Sequence, residues 1–158
     1  MFDVIPVTSS IQVDCGPTCL KMLLAYYDID VPLEDLIAEC NTRVIGCSGA
    51  DLMRVARAHG MDDVKAFRMD AAELVRQDRP AIIWWKYQHW CVFCGQNDAG
   101  QVVIVNPDRG MYPLDKESFS CMYTGVAIFN GDPEDLPESE EATAADYEQA
   151  LSNLGVSL

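Results

Sequence analysis

The sequence predicts an α+β fold in which a helical half comes first and an antiparallel sheet second. Between residues 15 and 60 apolar side chains recur at helical spacing behind capping signals. From 64 to 129 they gather instead in short β-branched and aromatic runs divided by turn residues. Helices and strands do not alternate through the chain, which argues against a parallel α/β sheet.

Residues 1–11 read as an extended lead-in, with Ser9-Ser10 as a loop. The polar stretch Gln12-Val13-Asp14 then turns abruptly apolar at Cys15. Between Thr18 and Tyr27 the only charge is Lys21, so the helix beginning here should be buried over most of its surface. Asp14 is placed to cap its first amides. Pro17 suits a first turn, where its missing N–H has no partner to lose. After a turn at 28–31, Pro32 opens a short helix over 33–40 with Leu36, Ile37 and Cys40 on one face. Residues 41–47 read as loop. Ser48-Gly49-Ala50-Asp51 resembles a capping box, and the helix behind it turns Leu52, Val55 and Ala56 inward before stopping at Gly60.

Beyond Gly60 the composition of 64–69 is strand-like. Asp70-Ala71-Ala72-Glu73 is a second capping box, on a short helix that ends before Pro80. Strands follow at 81–85, 89–94, 102–105 and 125–129, with Asn97-Asp98-Ala99-Gly100 as a hairpin turn. These observations predict one domain over residues 1–131. Residues 132–158 form an acidic C-terminal tail, whose 142–154 stretch is either a short helix or disordered.

A chain of 158 residues with 49% hydrophobic and 23% charged side chains can build a full core without staples. No apolar run approaches the ~20 residues a membrane-spanning helix needs, and the N-terminus has neither a basic n-region nor a long apolar segment. The net charge of −14 is uneven: there is no Lys or Arg after Lys116, and eight acidic side chains lie from Asp132 to Glu148. Such a surface repels nucleic-acid phosphates and anionic lipid, and suits a basic peptide better as a partner. Seven cysteines with no export signal point to the reducing cytoplasm and away from a disulfide framework.

Cys15 stands where a helix dipole would favour thiolate, the state a nucleophile needs, although a cysteine there can equally be a small buried hydrophobe. A nucleophile needs a base, and the chain has two histidines. His59 sits before the helix-ending Gly60, where an imidazole complements the negative helix end. His89 begins a strand between Trp85 and Trp90, and the hairpin it opens returns the chain to Asn106-Pro107-Asp108. An Asn or Asp there can accept from one ring nitrogen and leave the other to face a thiol. Cys91 and Cys94 form a C-x-x-C in a β pattern, where residues three apart point to opposite faces, so neither a metal nor any other cofactor is expected. Cys19, one turn after Cys15, could act as a resolving thiol.

These residues also carry a resemblance. Asp14-Cys15-Gly16-Pro17, followed by a helix with Met22 and Tyr26-Tyr27, resembles the nucleophile segment of the bacteriocin-processing peptidases. These are papain-like cysteine peptidases that cut leader peptides after a double glycine, often fused to an exporter. Further matches keep the family's order: Arg79-Pro80-Ala81-Ile82-Ile83, His89-Trp90-Cys91-Val92-Phe93, Val103-Ile104-Val105-Asn106-Pro107, Gly110, then Phe119 with Thr124-Gly125-Val126. The resemblance covers roughly residues 6–130. It implies a papain-like fold, Cys15 as nucleophile, His89 as base and a peptide or protein substrate, handled beside an exporter that this chain does not contain. The family's orienting Asp precedes a Pro, so it maps onto Asn106, with Asp108 as the fallback orienter. The family also places a Gln six residues before the nucleophile, as an oxyanion donor. Here that position is Ser9, and the nearest Gln is Gln12. Gln12, Ser9 or Ser10 can donate instead, or the hole lacks a side-chain donor, which costs on the order of 10²–10³ in turnover.

The same machinery allows transfer of the acyl group to an amine, as an acyltransferase or transamidase. A module that binds leader peptides without cutting them is the non-catalytic alternative. Small residues at the cut would require large side chains to narrow the groove; Trp84, Trp85, Tyr87 and Trp90 are the candidates, each with core packing as its plainer role.

Overall fold

The computed structural model describes residues 1–9, 11–40 and 46–132, with the side chain of Gln12 excepted. The expectations for residues 41–45 and for the tail beyond Asp132 fall outside the described residues. Five helices are present among the described residues: α1 (Cys15–Tyr26), α2 (Leu33–Glu39), α3 (Gly49–Ala58), α4 (Ala71–Val75) and α5 (Lys116–Met122). A 3-10 turn, Gln12–Asp14, leads directly into α1. The strands are β1 (Val64–Arg68), β2 (Ala81–Trp85), β3 (His89–Gln96), β4 (Val102–Asn106), β5 (Gly110–Leu114) and β6 (Tyr123–Asn130). They form one antiparallel sheet in the order β1-β6-β2-β3-β4-β5.

The α+β class and the helices-first order hold. Two of the three expected caps form: the Ser48 side chain accepts from the Asp51 amide, and Asp70 and Glu73 close a full capping box on α4. Two elements were not expected. β5 contains Pro113, which argues against a central strand but is tolerated at the sheet edge. α5 is announced by Asp115, whose side chain accepts from the Ser118 amide at 2.8 Å.

Both faces of the sheet are buried, which explains why β2 throughout, and β4 up to Asn106, are apolar instead of alternating. On one face Leu20, Leu23 and Leu24 of α1 and Leu52 and Val55 of α3 pack against Trp84, Trp90, Val92, Val103 and Val105. Each fully buried leucine contributes about 1.5–3 kcal/mol. On the other face Leu74 of α4 and Phe119 of α5 cover Trp85, Phe93, Ile104 and Phe129. The expected two-layer contact is therefore a helical half on one face with two short helices closing the other. The three tryptophans proposed as groove walls are core residues, 1–5% exposed, and Trp84 and Trp90 stack at 4.4 Å. Tyr87 alone of that group stands out, 80% exposed.

The lead-in strap is tied at both ends. The Phe2 amide donates to the Cys94 carbonyl at 2.8 Å, and the Ser9 amide to the Pro107 carbonyl at 2.9 Å. This carries the chain past the end of β4 just before it enters α1.

Candidate active site

Cys15 is the first residue of α1 and is 4% exposed. Asp14 does not cap the helix, contrary to expectation. Its backbone (φ −90°, ψ 8°) already curls with the 3-10 turn, not in the extended form from which a side chain reaches the N3 amide. Its carbonyl instead accepts from Thr18 Oγ1 at 2.7 Å. Gly16 meets a close approach: a Cβ there would lie 2.7 Å from Cys47 Sγ and 3.2 Å from Trp90 Cδ1. The Trp90 indole N–H donates to the Cys47 carbonyl at 3.2 Å, so this strand is stitched to the segment in front of α3.

Near the Cys15 sulfur β3 is paired on one side only, with β2. Pairing of β3 with β4 begins only at Val92↔Val105, so His89 to Cys91 run ahead of their partner strand. The Trp90 backbone N–H donates to the Cys15 sulfur. The expectation of a thiolate held by the helix end needs correction. Burial pushes the Cys15 thiol up to about 11; the Trp90, Gly16 and Cys15 amides pull it down by less, and the Asp108 carboxylate adds to the rise. At neutral pH the thiol keeps its proton until a base takes it.

His89 opens β3 after the turn at 86–88, where Tyr87 (φ 65°) and Gln88 (φ 57°) both adopt the left-handed conformation that non-glycine residues avoid. Its ring is buried, with Nε2 2.8 Å from Asn106 Oδ1 at the end of β4. The Asn106 amide is oriented by its other partners. Oδ1 also accepts the Asp108 amide at 3.0 Å, and Nδ2, which can only donate, gives to Tyr112 Oη at 3.3 Å. The oxygen therefore faces the imidazole, Nε2 carries the hydrogen, and Nδ1 is left as the basic nitrogen. Asp108 Oδ2 lies 3.7 Å from Nε2, too far for a hydrogen bond but close for a charge. Trp85, Tyr112, Leu114 and Met122 line a cavity of about 420 Å³ onto which His89, Asn106 and Asp108 also open.

Of the residues expected at a site, His89, Asn106 and Asp108 are gathered around one ring. Cys15 is bonded to the backbone of the residue after it. The Gln12 backbone lies in the 3-10 turn, and its side chain and Ser10 fall outside the described residues. Ser9 Oγ is engaged locally with the backbone of Ile11. The Trp90 amide and Tyr112 were missed: a backbone donor leaves no mark in a sequence, and an edge-strand tyrosine carries no motif. His59 pairs with Glu39 of α2 at 2.6 Å, a contact between elements beyond the expected helix-end complement. Cys91 and Cys94 lie in the two separate cores on opposite faces, so the pair does not converge on one ion. Cys19 is fully buried, and burial pushes its thiol well up.

With this geometry in place, the comparisons with known proteins are specific. A model of the Peptidase C39 family matches residues 5–135. The chain is 30% identical over 142 residues to the lactococcin-A transport/processing ATP-binding protein of Lactococcus lactis subsp. lactis, covering 84% of this chain and 20% of that protein. It is 27% identical over 115 residues to the colicin V secretion/processing ATP-binding protein of Escherichia coli, covering 73% and 16%. The chain thus spans about a fifth or less of the length of these curated relatives. Among solved structures it is similar to a double glycine motif protease from an AMS/PCAT transporter in complex with the leader peptide, with a TM-score of 0.74 and 26% identity over 80% of this chain and 90% of that one. The peptidase domain of Streptococcus ComA, a bi-functional ABC transporter, gives 0.70 and 22% over 80% and 98%. The architecture is that of the papain-like peptidase domains. Because the family match extends over most of the sequence, this chain belongs to the Peptidase C39 family.

Proposed function

We propose that this chain is a thiol peptidase that cuts a leader-type peptide after small residues, with Cys15 as nucleophile, His89 as general base and Asn106 as the residue that orients the imidazole. The observation that supports it most is the His89–Asn106 bond at 2.8 Å, in the orientation that keeps Nδ1 free to accept a proton. In the first half-reaction Nδ1 takes the Cys15 proton as sulfur attacks the scissile carbonyl. The C–N bond then breaks, and the imidazolium returns the proton to the leaving amine. Water, activated by the same nitrogen, hydrolyses the thioester. The Cys15 backbone amide and the Gln12 side chain are the candidate oxyanion donors.

Two likenesses support the substrate class. One similar structure is a double glycine motif protease bound to a leader peptide, and the curated relatives are named for joint transport and processing. On this reading the chain trims the leader of a cargo peptide destined for an exporter. The test is incubation of the full chain with a synthetic peptide carrying a Gly-Gly leader, products identified by mass spectrometry. Cleavage after the second Gly, lost in Cys15→Ser and His89→Ala, is expected. Binding without cleavage would leave the non-catalytic module, and an amide product formed only with added amine would make the protein a transamidase.

A further inference from the structure

We propose that Asp108 supplies the negative charge that neutral Asn106 lacks, so that two residues divide the work of one orienting carboxylate: Asn106 fixes the His89 ring, and Asp108 stabilises it once protonated. The inference rests on the thiol-peptidase reading and names a further residue of that site.

The acceptor oxygen of Asn106 has no capacity left. It accepts from His89 Nε2 and from the Asp108 amide, and the side-chain nitrogen gives to Tyr112. Toward an imidazolium Asn106 offers only an amide dipole. The Asp108 carboxylate reaches within 3.7 Å of the same Nε2. It is held there by its own backbone, since its amide closes a turn on Asn106 Oδ1 across Pro107, whose φ is fixed. The other ionisable groups around the ring do not supply this charge. Lys86 and Tyr87 come from the β2–β3 turn, Arg109 from the β4–β5 turn, Tyr112 from β5 and Cys15 from α1. Lys86 and Arg109 are cations and oppose a proton on the imidazole. Asp108 is the carboxylate on this cavity among the described residues. It acts through His89 and touches no reacting atom.

The same charge also raises the Cys15 thiol, so removing it shifts both members of the pair the same way. The test compares pH profiles of kcat/KM for a Gly-Gly leader peptide in the full chain, Asp108→Asn, Asn106→Asp and the exchange variant Asn106→Asp/Asp108→Asn. Asp108→Asn keeps shape and loses charge; both limbs should move about half to one pH unit toward acid. The exchange variant should bring them back. Limbs unmoved in Asp108→Asn, whatever the height of the profile, overturn the proposal. Iodoacetamide labelling of Cys15, followed by peptide mass spectrometry over the same pH range, separates the two readings. If His89→Ala leaves that labelling profile unchanged, the thiol-imidazole pair itself is wrong and Asp108 has no ring to act through. If His89→Ala alters it and Asp108→Asn does not, only the role of Asp108 fails.

Discussion

At the scale of single residues, the account turns on how a neutral amide is made to orient a base. Asn106 could turn either end toward His89, and the wrong end would give the ring a donor and cost the catalytic tautomer. Tyr112 Oη and the Asp108 amide decide the matter. Tyr112→Phe removes the acceptor of Nδ2; kcat for peptide cleavage should fall up to about tenfold, the equivalent of one lost hydrogen bond, with KM within about twofold. A stopped assay over a range of peptide concentrations separates the two. Asn106→Ala should cost about ten- to a hundredfold in kcat, since the ring is freed. None of this fine structure was legible beforehand. The sequence offered Asn106 as orienter with Asp108 as the fallback; that both lie near one ring nitrogen depends on a turn geometry that a residue string does not record.

At the scale of elements, the site is an accident of strand lengths put to use. β3 reaches past the end of β4, so His89 to Cys91 are paired with β2 on one side only, and the Trp90 amide there acts on the Cys15 sulfur. Gly16 sets how closely α1 approaches. Gly16→Ala would force Cys47 Sγ or Trp90 to give way, for a loss of about 1–3 kcal/mol on urea denaturation. Cys47→Ala in the same chain should recover much of it, because it removes the nearest atom in the clash. A full loss in the double variant would place the strain elsewhere. α1, α3 and the central strands were readable because their apolar runs, and for α3 the Ser48 cap, agree with their burial. β5 and α5 were not: Pro113 masks an edge strand, and Lys116–Met122 buries Phe119 without an apolar face recurring at helical spacing. The covering of the sheet's second face was missed with them.

At the scale of the whole molecule, the resting protein is a store of buried neutral thiols. Burial raises Cys15 to about 11 and Cys94 to about 12, and pushes Cys19 and Cys91 up as well. Folded pKa values lie above unfolded ones, so the unfolded chain loses these protons first as pH rises. Stability is therefore whole below about pH 8.5 and declines from there through the folded values, at about 1.4 kcal/mol per pH unit per thiol. Urea midpoints at pH 7 and 10 should differ accordingly, and Cys94→Ala should flatten the decline; a midpoint independent of pH would contradict the burial. Class and family were legible because they rest on spaced motifs in a fixed order. The thiol's charge state was not, since a helix end favours thiolate while burial, which outweighs it here, is a property of the assembled core. The central claim is that Cys15 breaks peptide bonds with His89 as its base. Its most direct test is trapping: the full chain is mixed with a Gly-Gly leader peptide, quenched in acid and weighed by intact-mass spectrometry. An acyl adduct on Cys15, absent in Cys15→Ser and strongly reduced in His89→Ala, is the expected result. Cleavage that persists in Cys15→Ser would contradict it.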